Sequence, residues 1–210
     1  MSPSGSLSQE SPTLAAMSRI IAGSHKGRRL VMPAHSRTRP TTDRVREAAF
    51  SLIADWAGTA GVPATDTLAG LGFLDLYAGS AAVALEAASR GAAPVSAVER
   101  DPATAEVARR NVRETGLDVK VVPRSVAGFL ASQPVAFDVV WADPPYDLDA
   151  AAVDQVIAEV VAGGWLAAHG LVIVERSGRD RAPLWPADME DSWHRVYGET
   201  TLHFAMKGDE

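Results

Sequence analysis

From residue 72 to residue 175, short apolar runs alternate with segments whose apolar residues recur at helical spacing. The apolar runs predict strands at 73–77, 95–99, 119–122, 137–141 and 171–175. The segments between them predict helices at 81–90, 102–115, 126–131 and 149–162. Strands that alternate with helices predict a mostly parallel sheet with helices on both faces.

Three further segments complete the predicted elements. Residues 19–32 predict two short strands joined by a glycine-containing turn at 23–27. After a cap at Thr42 or Asp43, one helical stripe of apolar residues follows, formed by Val45, Ala48, Ala49, Leu52, Ile53 and Trp56. The pattern weakens after residue 176, where 193–197 and 200–206 predict two late strands at an antiparallel edge of the sheet.

These elements divide the chain into three predicted regions. Residues 1–17 are rich in serine and proline and predict a disordered tail. Residues 18–60 hold the basic hairpin and the first helix, and residues 61–206 hold the α/β domain. We interpret Trp141 and Trp165 as core residues, and Arg109, Arg110 and Arg113 as the solvated face of a helix.

The charge of the chain is unevenly distributed. The net charge is −6, yet residues 19–46 contain eight basic residues and one acidic residue, Asp43. The rest of the chain holds 12 basic and 25 acidic residues. This asymmetry favours a polyanion-binding arm on an acidic body.

Composition excludes several kinds of protein and site. The chain has no cysteine, which excludes a thiolate zinc site, a catalytic thiol and a disulfide framework. It has no apolar run long enough to cross a membrane and no signal peptide, and its histidines lack metal-ligand spacing. These absences are compatible with the cytosol, and we expect a cytoplasmic monomer that uses neither a membrane nor a metal.

Candidate binding residues follow the predicted strands, at the sheet edge where ligands of open α/β sheets bind. The turn from Asp75 to Ser80 contains Gly79, whose backbone a ligand can approach closely. Glu99 follows Gly79 by twenty residues, an interval that suits an acid binding ribose hydroxyls. Ser125 follows the third strand, where it can form one hydrogen bond near an adenine.

The glycine turn by itself leaves two cofactors open, a nicotinamide dinucleotide and S-adenosylmethionine. A pyrophosphate prefers several close backbone N–H groups, and the turn lacks the G-x-G-x-x-G pattern that supplies them. The carboxylate of Asp75 would repel a pyrophosphate but could bind the amino group of S-adenosylmethionine. The turn therefore favours the methyl donor over a hydride-transferring dehydrogenase.

The sequence Asp143-Pro144-Pro145-Tyr146 follows the fourth strand and favours methyl transfer to an exocyclic amine. Such a nitrogen is a poor nucleophile because its lone pair is delocalised into the base. The carboxylate of Asp143 and the carbonyl of Pro144 can accept hydrogen bonds from both N–H groups, and the prolines stiffen the backbone. Tyr146 offers a flat face for an unstacked base.

The chain resembles the bacterial 16S rRNA guanine-N2 methyltransferase family of the RsmD type, within the class I S-adenosylmethionine-dependent methyltransferases. The resemblance rests on the stretches at 19–30, 39–47, 75–80, 85–92 and 143–146, and more weakly on 164–166 and 174–175. It implies a Rossmann-like methyltransferase fold at 61–206, with a seven-stranded, mostly parallel sheet, an antiparallel edge and an N-terminal β-hairpin extension.

The resemblance also implies roles for individual residues, with 16S rRNA or the small ribosomal subunit as the partner. The catalytic set is Asp143, Pro144, Pro145 and Tyr146. The S-adenosylmethionine set is Asp75, Tyr77, Ala78, Gly79, Ser80, Glu99, Arg100 and Ser125. The uneven charge adds an RNA-binding set, which is Arg19, Lys26, Arg28, Arg29, Arg39, Thr41, Thr42, Arg44 and Arg46.

Two positions depart from the family pattern. Ala81 stands where a second glycine usually follows Ser80, and its methyl group is expected to tighten the cofactor turn. Arg124-Ser125 stands where an acid or amide is expected near the adenine. Two alternatives besides the dehydrogenase remain open: a DNA adenine-N6 methyltransferase and a non-catalytic RNA-binding assembly factor.

Overall fold

The computed structural model describes residues 18–33 and 42–208. The predicted tail at 1–17 and two predicted RNA-binding residues, Arg39 and Thr41, lie outside the described residues. Within the described residues, no helix is both long enough and apolar enough to cross a membrane.

The N-terminal hairpin consists of β1 (Ser18–Arg19) and β2 (Arg29–Leu30), which pair antiparallel. Its strands are shorter than the predicted ones because much of the segment forms the connecting turn, where Gly23 and Gly27 have positive φ angles of 81° and 83°. Ile20 and Leu30 are buried, so the hairpin packs onto the rest of the protein.

Helix α1 (Asp43–Trp56) follows the hairpin, and of the predicted apolar stripe Val45, Ala49 and Ile53 are buried, whereas Ala48, Leu52 and Trp56 are half-buried. The hydroxyl of Thr42 accepts a hydrogen bond from the backbone N–H of Val45, so Thr42 is the N-cap. Ala49, Phe50 and Ile53 are fully buried. The helix therefore packs its apolar face against the sheet rather than standing apart from it.

A seven-stranded sheet forms the centre of the molecule, in the order β5-β4-β3-β6-β7-β9-β8. Its strands are β3 (Phe73–Leu76), β4 (Val95–Val98), β5 (Lys120–Val122), β6 (Phe137–Ala142), β7 (Leu166–Ser177), β8 (Met189–Tyr197) and β9 (Thr200–Lys207). The connecting helices are α2 (Ala82–Ser89), α3 (Pro102–Thr115), α4 (Val126–Leu130) and α5 (Ala150–Ala162).

The sheet is parallel from β5 to β7, and β9 and β8 form an antiparallel edge. The predicted fold class is therefore confirmed. The chain runs outward through β4 and β5 on one side of β3 and through β6 and β7 on the other. The order reverses between β3 and β6, and a crevice for a ligand is expected at their carboxyl ends.

Two apolar clusters cover the faces of the sheet. Phe73, Val139 and Trp141 belong to the cluster that includes α1 and α2, whereas Leu74 and Val140 belong to the cluster that includes α5. Alternate strand residues thus enter opposite layers, as the pleat of a strand requires. The continuous apolar runs in the sequence reflect this burial on both faces.

Two strands are longer than the sequence predicts. β7 begins at Leu166 rather than at 171 because its first residues pair with β6 across an irregularity, where His169 has a positive φ of 59°. β8 begins at Met189 rather than at 193. Its first residues are mostly polar and exposed, because β8 is the edge strand, and they show no apolar alternation.

Candidate active site

A cavity of about 930 Å³ opens at the carboxyl ends of β3, β4 and β6, where the strand order reverses. This volume suits a ligand of nucleoside size with a side chain. Nine predicted cofactor or catalytic residues line the cavity: Asp75, Tyr77, Ala78, Gly79, Ser80, Glu99, Arg100, Asp143 and Pro145. The fold thus brings the glycine turn (Asp75 to Ser80) and the diproline corner (Asp143 to Tyr146) to one site.

The glycine turn has an unusual backbone that keeps its inner side open. Tyr77, Gly79 and Ala81 have φ angles of 63°, 54° and 62°, so every second residue is left-handed. A Cβ atom added to Gly79 would meet no atom within 4 Å, and Gly79 lines the cavity. A ligand can therefore approach this backbone closely. Left-handed non-glycine residues of this kind concentrate at functional sites.

Ala81 stands where the resemblance described above leads us to expect a second glycine. Its side chain is fully buried in the apolar cluster that contains Leu85 and Trp141, and it does not belong to the cavity wall. Its methyl group therefore does not narrow the cavity directly, and the expected tightening of the cofactor turn stays a prediction. The substitution instead places a left-handed alanine at the N-cap of α2.

Asp75 lies at the floor of the cavity and is 2% exposed. One of its carboxylate oxygens accepts a hydrogen bond from the backbone N–H of Ala84, at 3.0 Å. Burial raises the pKa of Asp75 from 3.8 to about 8, and the charge of Glu99 adds to this rise. A cationic group placed beside Asp75 would restore its ionised form.

Glu99 joins two loops of the cavity. Its Oε2 accepts a hydrogen bond from the N–H of Gly79 at 2.9 Å, and its Oε1 accepts one from the N–H of Asp101 at 2.8 Å. The carboxylate thereby fixes the glycine turn relative to the start of α3, which Asp101 caps. Each oxygen keeps a further lone pair that can accept a hydrogen bond from a ribose hydroxyl.

The diproline corner begins where β6 ends. Asp143 and Pro145 line the large cavity, whereas Pro144 and Tyr146 line a small neighbouring cavity that Asp143 also lines. Tyr146 is 55% exposed, so a face of its ring is accessible from solvent. The corner therefore places a carboxylate at the inner wall and an aromatic ring at the rim.

The carboxyl of Asp143 lies beside a second acid. Glu175 is at the corresponding end of β7, next to β6 in the sheet, and lines the small cavity with Asp143. Burial raises the pKa of Asp143 well above its usual value of 3.8, and the charges of Glu175 and Asp75 raise it further, while Arg176 opposes the rise. Asp143 therefore holds a proton more strongly than a surface carboxyl does.

Part of the cavity wall was not predicted from the sequence. Met32 and Pro33, which follow the hairpin, line the cavity together with Val107, Val126 and Trp141. Ser125 is exposed, and its hydroxyl accepts the N–H of Gly128 as the N-cap of α4, next to Val126. The hydroxyl can still donate one hydrogen bond, so the contact between Ser125 and the cofactor stays a prediction.

The predicted RNA-binding residues separate into exposed cations and residues that have a structural role. Lys26, Arg28, Arg29 and Arg44 are exposed, and Arg19 is exposed while paired with Asp43 at 3.2 Å. Thr42 is occupied as the cap of α1.

Arg46 is the exception among the predicted RNA-binding residues. It is 1% exposed, and it donates hydrogen bonds to Asp43, Ser18 and the carbonyl of Arg19. Its predicted contact with RNA phosphates is therefore wrong: the hairpin covers this side of α1, and Arg46 faces the cavity.

The helix face predicted to be solvated is confirmed. Arg110 and Arg113 are exposed on α3 and pair with Glu114 and Glu106, at 2.7 Å and 2.9 Å.

Among the described residues, no group of three histidine, aspartate or glutamate side chains could hold a metal ion.

Comparison with known proteins gives this architecture a family. The family model described as conserved hypothetical protein 95 matches residues 18–206, from the hairpin to the last strand. The chain belongs to this family. Ribosomal RNA small subunit methyltransferase D of Escherichia coli K12 is 32% identical over 190 residues, which is 90% of this chain and 89% of that protein. The predicted resemblance is therefore confirmed.

Solved structures agree with membership of the conserved hypothetical protein 95 family. The yhhF protein of Escherichia coli has a TM-score of 0.79 and 28% identity, and the match covers 93% of this chain and 100% of that one. The 16S rRNA N2 methyltransferase RsmC from Thermus thermophilus, in complex with AdoMet and guanosine, has a TM-score of 0.65 and 20% identity. That match covers 92% of this chain and 50% of RsmC, and it shows a shared fold.

Proposed function

We propose that this protein transfers a methyl group from S-adenosylmethionine to the exocyclic N2 of a guanine in the 16S rRNA of the small ribosomal subunit. The observation that carries the proposal is the placement of Asp143 and Pro145 in the wall of the same cavity as Asp75, Gly79 and Glu99. The relative named ribosomal RNA small subunit methyltransferase D supports the substrate class, and the complex of RsmC with AdoMet and guanosine supports the cofactor.

The residues of the cavity fit S-adenosylmethionine, which supplies an activated methyl group when bound. The side of Gly79 that faces the cavity is open. Glu99 is positioned to accept hydrogen bonds from ribose hydroxyls, and Asp75 to accept them from the ammonium group. The absence of a glycine-rich phosphate loop suits a ligand without phosphate.

Asp143 and Pro144 orient the amine in this proposal. An oxygen of Asp143 and the carbonyl of Pro144 accept the two N–H groups, and Tyr146 stacks on the base. Removing a base from its stack costs a few kcal/mol, which stacking and hydrogen bonds offset. Fixing the donor and acceptor together can contribute roughly 7–11 kcal/mol to lowering the barrier. The raised pKa of Asp143 predicts slower transfer at low pH, where the protonated carboxyl loses acceptor capacity.

Replacement of the acid tests this role directly. Asp143→Asn keeps the size of the side chain but can direct an N–H at the amine, so we expect transfer to fall by about 10²-fold or more. Binding of S-adenosylmethionine, measured by calorimetry, should remain. Asp147→Asn is the matched control, because Asp147 is exposed and lines neither cavity. Full turnover by the Asp143→Asn variant would refute the assignment.

The substrate is tested with small ribosomal subunits from cells that lack the protein. Labelled S-adenosylmethionine should deliver its methyl group to one guanine of the 16S rRNA, and nucleoside analysis should identify N2 as its position. Duplex DNA serves as the competing substrate. Transfer of the labelled methyl group to an adenine of DNA would show that the protein is a DNA adenine-N6 methyltransferase instead. Absence of transfer to any RNA or DNA would favour a non-catalytic RNA-binding assembly factor.

A further inference from the structure

Two polar atoms of the described residues are buried without a hydrogen-bond partner, Nε of Arg46 and Nε1 of Trp141. Both residues line the large cavity, and their exposed fractions are 1% and 0%. An unpaired buried donor is costly, so native proteins rarely keep one without a reason. Two such donors in the wall of one cavity indicate a ligand group that accepts hydrogen bonds.

The guanidinium of Arg46 is held firmly from the hairpin side. Its Nη2 donates to Ser18 at 3.1 Å, to the carbonyl of Arg19 at 2.6 Å and to Asp43 at 2.9 Å. These contacts fix the plane of the group and leave Nε for another partner. A buried cation with a free donor favours an anionic acceptor over a neutral one.

Trp141 lies beside Asp75 in the sheet. The two residues are direct partners across the β3–β6 pair, so their side chains leave the same face, toward α1. The charge of Arg46 also acts on Asp75, where it opposes the rise of the pKa. One end of the cavity therefore combines a carboxyl group with a cationic donor and a neutral donor.

We infer that Nε of Arg46 and Nε1 of Trp141 bind the carboxylate of the amino-acid end of S-adenosylmethionine. This inference rests on the proposed function and names two residues that hold the donor. The ammonium and carboxylate of an amino acid share one carbon atom, so an acid for the first must lie beside donors for the second. Asp75 next to Trp141 and Arg46 meets this requirement, whereas the carbonyl oxygen of a base needs no acid beside its donors.

Binding of two ligands to the Trp141→Phe variant tests the inference by calorimetry. The ligands are S-adenosylmethionine and its decarboxylated analogue, which keeps the adenosine, the sulfonium and the amine. Loss of a hydrogen bond to a charged group should weaken S-adenosylmethionine binding about tenfold or more. Affinity for the analogue should change by less than about twofold. Arg46→Lys keeps the charge, removes Nε and should give the same pattern.

Trp165→Phe is the matched control. Trp165 is 2% exposed, belongs to the other core cluster and donates its Nε1 hydrogen bond to the carbonyl of Leu130. This variant should lose stability without changing either affinity. If Trp141→Phe does not fold, Arg46→Lys supplies the same comparison of ligands.

Three outcomes would overturn the inference. Equal loss of affinity for both ligands would mean that Trp141 only shapes the cavity, and unchanged affinity for both would mean that the donors do not touch the ligand. Unchanged S-adenosylmethionine affinity with weaker RNA binding would assign the indole to the target base. If the unmodified protein binds neither ligand, the proposed function itself fails, which is a distinct result.

Discussion

Asp75 shows how one buried side chain links stability to function. Its pKa rises from 3.8 to about 8 in the folded protein, chiefly because of burial. Between about pH 4 and about pH 8 the folded protein therefore keeps a proton that the unfolded chain has released. The folded state binds more protons, so its stability falls as the pH rises through this window.

Replacement by the neutral amide should remove this dependence. Asp75→Asn keeps an oxygen that can accept the N–H of Ala84, so we expect the variant to be more stable at pH 8 by about 1 kcal/mol or more. For a chain of this size, each kcal/mol of added stability raises the melting temperature by about 2–4 °C. The advantage should vanish near pH 4. A melting difference that stays constant with pH would contradict the account, and Asp55→Asn on α1 is the exposed control.

The same carboxyl predicts a proton released on donor binding. An ammonium group beside Asp75 stabilises the ionised carboxylate and lowers its pKa, so binding below about pH 8 should expel the proton. Calorimetry at pH 6.5 in buffers of different ionisation enthalpy should detect release of about one proton per S-adenosylmethionine bound. Asp75→Asn should bind more weakly and release none. Equal proton release by the unmodified protein and the Asp75→Asn variant would show that the proton comes from another group.

At the scale of residues, the sequence predicts the roles of residues that belong to contiguous motifs. It does not predict the roles of residues that depend on contacts with distant parts of the chain. Asp75, Glu99 and Asp143 follow predicted strands, and strand ends meet at one edge of a parallel sheet. Arg46 lies off the apolar stripe of its helix and was therefore expected on the surface. It is buried because the hairpin packs over it, and this packing leaves no local signature.

At the scale of elements, the docking of the hairpin depends on α2. Glu86, which is fully buried, accepts hydrogen bonds from the backbone N–H groups of Ile21 and Ala22, at 2.6 Å and 3.0 Å. The neighbouring Ser89 accepts the N–H of His25 and donates to the carbonyl of Ala22. The basic arm thus has a defined position relative to the cavity.

Gly23 and Gly27 provide a matched test of this docking. Both have positive φ, so replacement of either by alanine costs about 1–2 kcal/mol of backbone strain. A Cβ on Gly23 would lie 1.9 Å from the carbonyl oxygen of Ser89, whereas one on Gly27 would meet nothing within 4 Å. Gly23→Ala should displace the hairpin from α2.

Two measurements separate these variants. Hydrogen exchange at Ile21 and Ala22 should accelerate strongly in Gly23→Ala, and RNA affinity should fall with it. Gly27→Ala should keep slow exchange and RNA affinity close to that of the unmodified protein. Equal effects of the two substitutions would show that strain in the turn, rather than contact with α2, controls the arm.

Most helices and strands could be predicted from their own residues, because caps and apolar spacing are local signals. Helix α3 is the clearest case: Asp101 caps it, Pro102 occupies its first turn and Gly116 ends it with a φ of 73°. The start of β7 could not be predicted, since it depends on pairing with β6 across an irregularity. Edge strand β8 was partly missed, since its exposed residues need no apolar pattern.

At the scale of the whole molecule, the uneven charge of the sequence corresponds to distinct surfaces of the fold. Within the described residues, the basic segment lies in the hairpin and at the start of α1, and its one acidic residue, Asp43, is paired with Arg19 and Arg46. The exposed arginines of α3 are balanced by Glu106 and Glu114. The exposed cations of the arm, Lys26, Arg28 and Arg29, therefore lie close along the chain to Met32 and Pro33, which line the cavity.

This layout predicts which arginines and lysines control the salt dependence of RNA binding. Replacing Lys26 and Arg29 by alanine removes two exposed cations of the arm, so the slope of log affinity against log salt should become shallower by about 0.7 for each phosphate that the variant no longer neutralises. Replacing Arg110 and Arg113 by alanine removes the same charge from α3, where both cations are already paired, and should leave the slope unchanged. Filter binding of 16S rRNA fragments at several salt concentrations measures both. An equal change in slope for the two double variants would mean that RNA responds to net charge alone, and the arm would lose its assigned role.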